Sequence, residues 1–146
     1  MPDNNKLLRI IDANLNRARE GLRVCEDIAR FGLQNKSAAK SLKIVRHNST
    51  GLVLNSKKIS FAGLLSGRDT GGDKAKFMDF APKPDADLSD IFMSNIERVK
   101  ESLRVLEECF KIIDGKISRG YRKLRFDTYD IEKRLIKKTG LISSNG

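Results

Sequence analysis

The chain has 146 residues, of which 39% are hydrophobic and 33% charged, with a net charge of +10. This is one domain's worth of polypeptide with enough apolar residues for one sizeable core, which excludes a disordered polyelectrolyte. No apolar run approaches the ~20 residues that cross a bilayer, and the start, MPDNNKLLRI, lacks the apolar centre of a secretory signal, so the expected location is the cytoplasm.

The first predicted element contains NLNRAREGLRVCEDIARF, residues 14–31. Ile11, Leu15, Ala18, Leu22, Cys25 and Ala29 recur at 4-3-4-3-4 spacing, the stripe of an amphipathic helix. A second stripe runs beside it through Ile10, Asn14, Arg17, Gly21, Val24, Ile28 and Phe31. Its middle is polar, then small. Gly32 is a plausible C-cap. A second helix is expected from an N-cap near Ser37, carrying Leu42, Val45 and Leu52.

A connector of different character covers about 56–86 and includes LLSGRDTGGDKAKFMDFAPKP. Gly67, Gly71, Gly72, Pro82 and Pro84 break any long regular element. A loop of this length in a small helical domain is unusual unless it is functional or mobile. Ile59-Ser60-Phe61 is read as a short extended piece.

The first pattern then returns 81 residues later. Asn14, Arg17, Glu20, Leu22, Arg23, Val24 and Glu26 match Asn95, Arg98, Glu101, Leu103, Arg104, Val105 and Glu107 without a gap. Phe92, Ile96, Val99, Leu103, Leu106, Phe110 and Ile113 repeat the core stripe. Ile91, Asn95, Arg98, Ser102, Val105, Cys109 and Ile112 repeat the interrupted one. A last helix starts near Ser118 and carries Tyr121, Leu124, Thr128, Ile131 and Leu135. Arg46 and Arg125 correspond once two residues are deleted. The expected fold is all-α: two antiparallel helical hairpins, at about 7–55 and 87–140, forming a four-helix core in a single domain. A pseudo-two-fold axis should relate them.

Two groups of residues could carry chemistry. Asn14 and Arg17, like Asn95 and Arg98, lie three apart and share a helix face, with a small residue one turn on. Asn offers donor and acceptor, and Arg a planar fork suited to phosphate. Together they describe a polar pocket for an anion; a structural Arg–Glu network, such as Arg17 with Glu20, is the alternative. Arg46 and Arg125 are further substrate-binding candidates. The second group is Gly67-Arg68-Asp69-Thr70-Gly71-Gly72-Asp73. Glycine backbone can approach an anion closely, Arg68 could clamp a phosphate, and Asp69 and Asp73 could hold Mg²⁺. It is not a Walker A motif. Cys25 and Cys109 lack metal-ligand spacing and read as core thiols, and a lone His47 makes zinc improbable. The basic tail Lys133, Arg134, Lys137 and Lys138 reads as a solvated face. The positive charge favours anionic partners.

IDANLNRAREGLRVCEDIARF, LKIVRH, SGRDTGGD, NIERVKESLRVLEE and YRKLRFDTYDIEKRL, taken together, resemble one small helical domain of thiamine biosynthesis. It is the hydroxymethylpyrimidine phosphate kinase-type domain, commonly fused in front of thiamine-phosphate synthase. The resemblance runs from Arg9 to Leu135. It implies ATP-dependent conversion of 4-amino-5-hydroxymethyl-2-methylpyrimidine phosphate to its diphosphate. On that expectation Asp69 and Asp73 hold Mg²⁺ on ATP, Arg68 neutralises the transferring group, and Asn14, Arg17, Asn95 and Arg98 grip the substrate. The chain leaves no room for a synthase barrel, which makes it a stand-alone form or a truncated one. The rival functions are a dimerisation or regulatory domain docking on thiamine-phosphate synthase and, more weakly, a basic nucleic-acid-binding protein. A homodimer is left open.

Overall fold

A computed structural model describes residues 4–68, 82 and 84–139. Helix α1 runs Asn4–Asp27 and widens into a π turn over Ile28–Gly32. Helix α2 runs Lys36–Leu54, the short α3 Phe61–Ser66, α4 Leu88–Ile113 and α5 Gly115–Thr139. Among the described residues every regular element is helical, as the periodicity requires.

Local signals set the ends, not always where the spacing placed them. Asn35, not Ser37, caps α2, its side chain accepting from the Ala38 N–H at 3.0 Å. Gly32 is the last residue of the π turn and not a cap. The chain turns into α2 through Gln34, whose φ of 50° is left-handed. Ser60 itself is extended, with φ −98° and ψ 145°, but Phe61 already belongs to α3. Ser60 caps α3 by accepting from the Gly63 N–H at 2.9 Å. Asp87 and Asp90 form a reciprocal capping box at the start of α4. Helix α5 starts at Gly115, three residues before Ser118. Ser118 instead donates its hydroxyl to the Glu107 carbonyl at 2.8 Å, closing the second hairpin.

The four long helices pack as an antiparallel bundle. Helix α1 packs most extensively on α4, α4 on α5, and α1 on α2. The core stripes face inward: Ile11, Leu15, Ala18, Leu22, Cys25 and Ala29 are all buried, as are Phe92, Ile96, Val99, Leu103, Leu106 and Phe110. The ring closes between α5 and α2. The Tyr121 hydroxyl donates to the Ser49 carbonyl at 2.6 Å, and its ring stacks on Phe110 with centroids 5.5 Å apart.

At the α1–α4 seam the backbones come close. A Cβ on Gly21 would lie 2.8 Å from Val99 Cγ2 and 3.2 Å from the Asn95 carbonyl oxygen. Further along, the Cys25 thiol lies 3.6 Å from the Phe92 carbonyl. Position 21 therefore faces 95–99 and position 25 faces 92, which sets the helices antiparallel. Gly21→Ala should lower stability by about 1–3 kcal/mol, because overpacking at a stiff β-branched neighbour outweighs the gain in helix propensity. Gly51 in α2 has nothing within 4 Å of such a Cβ. Gly51→Ala should raise stability by up to about 1 kcal/mol. Urea midpoints of the two variants should move in opposite directions.

Candidate functional site

Asn14 and Asn95 occupy matching positions on α1 and α4. Each amide donates to the carbonyl four residues back, Asn14 to Ile10 at 2.9 Å and Asn95 to Ile91 at 2.8 Å. Asn14 is buried and Asn95 half-buried. One turn further on, Arg17 and Arg98 are exposed. Neither has an ion-pair partner among the described residues. The expected alternative, Arg17 held by Glu20, is therefore not formed there. Since Gly21 touches Asn95, the two Asn–Arg strips border one seam. Its antiparallel register places Arg17 and Arg98 within roughly one helical turn, about 5 Å, along the bundle axis.

Arg46 and Arg125 behave differently. Glu26 is fully buried and receives Arg46 Nε at 2.9 Å, with Arg30 at 3.3 Å. Glu107, also buried, receives Arg125 Nε at 3.1 Å and Nη2 at 3.0 Å. Burial pulls the Arg125 guanidinium down, but its hydrogen bonds with Glu107 and Tyr129 outweigh this and the net shift is upward. These arginines join α2 to α1 and α5 to α4, and lie away from the Asn–Arg seam. The sequence pattern does not by itself name these partners, although Glu26 and Glu107 belong to the repeat. A carboxylate kept beside an apolar stripe was the signal.

Arg68 pairs bidentately with Asp12, at 2.8 and 2.7 Å. That hydrogen-bonded carboxylate raises the guanidinium's pKa further. Asp12 and Asn14 are two residues apart, roughly 200° around the helix. The structure thus brings Arg68 to the flank of α1 opposite the Asn–Arg strip. Asp69 and Asp73, the expected Mg²⁺ ligands, lie outside the described residues. Among the described residues no group of three His, Cys, Asp or Glu side chains gathers to hold a metal.

Elsewhere, buried Lys100 donates to Glu132 at 2.9 Å, pairs with Glu97, and sits 4.9 Å from the Tyr129 ring centroid. Desolvation lowers its pKa, but the two glutamates more than restore it. A cleft between the start of α2 and the end of α5 is lined by Asn35, Ser37, Ser41, Arg134 and Lys138. None of the expected site residues reaches it. His47 is exposed on α2, and the basic tail is solvated as expected. Cys25 and Cys109 are buried and free. Burial pushes the Cys25 thiol up to about 12, helped by the charge of Glu132, and raises Cys109 as well. Among the described residues no helix is long and apolar enough to cross a membrane.

The fold and this seam define a class: a small antiparallel four-helix domain built on an internal repeat, with an arginine on each copy that has no ion-pair partner among the described residues. The chain belongs to the ThiD2 family, whose sequence pattern matches residues 9–134. It is 36% identical over 129 residues to a thiamine-phosphate synthase of Nostoc punctiforme, covering 88% of this chain and 35% of that one. A thiamine-phosphate synthase of Rhodopirellula baltica is 35% identical over 141 residues, covering 95% of this chain and 37% of that one. The chain therefore spans little more than a third of the length of these curated relatives. No solved structure matches it. The family and relatives together make the protein a thiamine-biosynthesis domain.

The relatives' names also correct the expected function. Thiamine-phosphate synthase is a different enzyme from the ATP-dependent kinase implied by the resemblance, so the kinase assignment is withdrawn. The regulatory-domain and nucleic-acid alternatives find no support in these names either.

Two measurements follow from the site's geometry. Arg125→Met should cost about 3–5 kcal/mol by leaving Glu107 charged, buried and unpaired, whereas Glu107→Met/Arg125→Met together should cost less than that single change. Additive losses in urea denaturation would contradict this. In the native protein at pH 8 Cys25 should not react with Ellman's reagent, since a thiol pushed up to about 12 leaves almost no thiolate, and Cys109 should react more slowly than a free thiol. Both should react in guanidinium chloride.

Proposed function

We propose that the chain serves thiamine-phosphate synthesis as the part that binds the phosphorylated pyrimidine. Arg17 and Arg98 would hold its phosphate across the α1–α4 seam, with Asn14 and Asn95 flanking them one turn to either side. The observation that carries this is the difference between the repeated arginines. Arg46 and Arg125 have buried carboxylates, whereas Arg17 and Arg98 have no acidic partner among the described residues. Among the described residues neither Arg17 nor Arg98 is held by the exposed Glu20 or Glu101 that share this face, so both guanidinium forks are open to an anion. A phosphate accepts their forked N–H groups bidentately, and the neighbouring asparagines present amides to a heterocycle. The name shared by the relatives supports the ligand class, since thiamine phosphate carries a pyrimidine and a phosphate. A net charge of +10 helps draw such an anion in.

Isothermal titration with 4-amino-5-hydroxymethyl-2-methylpyrimidine phosphate tests the proposal. The native chain should bind it, and the unphosphorylated alcohol far more weakly. Arg17→Ala and Arg98→Ala should each weaken binding about 10–100-fold, the loss of a charge-assisted hydrogen bond of roughly 1.5–3 kcal/mol. Equal affinity in a folded Arg17→Ala/Arg98→Ala protein would remove the ligand from this seam.

A further inference from the structure

The outer side of the α1–α4 seam exposes apolar side chains at both ends. Ile10 and Ile112 are 45% and 62% exposed at one end, and Phe31, Leu88 and Ile91 are 72%, 49% and 41% exposed at the other. The interrupted stripes account for four of these five, so the pattern belongs to the repeat. Between the ends lie Arg17, Glu20, Arg98 and Glu101, all exposed and without ion-pair partners among the described residues.

We propose that a second copy of this chain packs on this face. The charges choose the occupant. On a chain of net charge +10, an acidic partner or a nucleic acid would be met by a basic surface. This strip instead carries two arginines and two glutamates, and is neutral. It is complementary to itself, because each arginine of one copy can meet a glutamate of the other. The order apolar, charged, apolar also matches itself whichever way the second copy runs. Apolar ends then cover apolar ends, and charged centres face charged centres. The size is right as well. Two helices of 24 and 26 residues, about 1.5 Å per residue long, each about 10 Å across and lying side by side, present a footprint of roughly 700 Å², near the ~800 Å² per partner of a stable interface. A guanidinium has five N–H donors, so pairing with a glutamate leaves Arg17 and Arg98 donors for an anion.

Sedimentation equilibrium of the whole chain from 1 to 100 µM, in salt sufficient to screen the net charge, tests this. A dimer is expected. Phe31→Glu/Ile112→Glu should be monomeric across that range, with unchanged far-UV circular dichroism. If that variant loses helicity, Glu20→Arg/Glu101→Arg decides instead, since it alters exposed charges only and should weaken the dimer at least tenfold. A native chain monomeric at 100 µM overturns the inference, and so does a dimer that survives either folded variant. The inference stands apart from the ligand proposal: a monomer that binds the pyrimidine phosphate defeats only the dimer, and a dimer that does not bind it defeats only the ligand site.

Discussion

The bundle depends on how closely α1 approaches α4. Gly21 lets the two backbones come together where a methyl group would strike Val99 and the Asn95 carbonyl. That approach lines up the two core stripes so that each fills the space the other leaves. It also brings the two Asn–Arg strips to one seam.

Ion pairs then divide the arginines by role. Glu26 and Glu107 are buried among apolar neighbours, where a lone carboxylate would be costly, and each is matched by an arginine from the helix that follows. Such pairs contribute little net stability beside an apolar alternative, but they select a partner. A hairpin shifted by one turn would bury both charges unpaired. The seam arginines carry no such constraint, and their forks point where a ligand or another chain can reach.

Much of the fold was legible in the sequence, because burial follows a 3.6-residue period and the period was unbroken. Ile11 to Ala29 and Phe92 to Phe110 fell where their spacing placed them. Helix ends were less legible. Asn35 displaced Ser37 as the cap, and Ser60 capped a helix that takes in Phe61, expected in an extended piece, since capping depends on one side chain reaching one N–H. At the site, the repeat marked Arg17, Arg46, Arg98 and Arg125 alike. It could not separate them, because Glu26 and Glu107 lie on the sequentially adjacent helix in a register that only packing sets. Asp12, the partner of Arg68, left no trace at all: the equivalent position in the second copy is Met93.

That last difference bears on how the two copies act. The first copy binds the start of the connector through Asp12 and Arg68. The second has buried Lys100 against Glu132, where the first has Arg19 and the apolar Val53. The copies therefore share their core, their buried glutamates and their seam, and differ on the flanks away from it. Shared features are those that both copies need in order to pack on each other. Divergent ones are released from that need, because a flank meets its own surroundings only. On the proposed function, an anion between Arg17 and Arg98 would therefore meet flanks that are unlike on its two sides. An asymmetric molecule, phosphate at one end and ring at the other, has reason to settle in one orientation there.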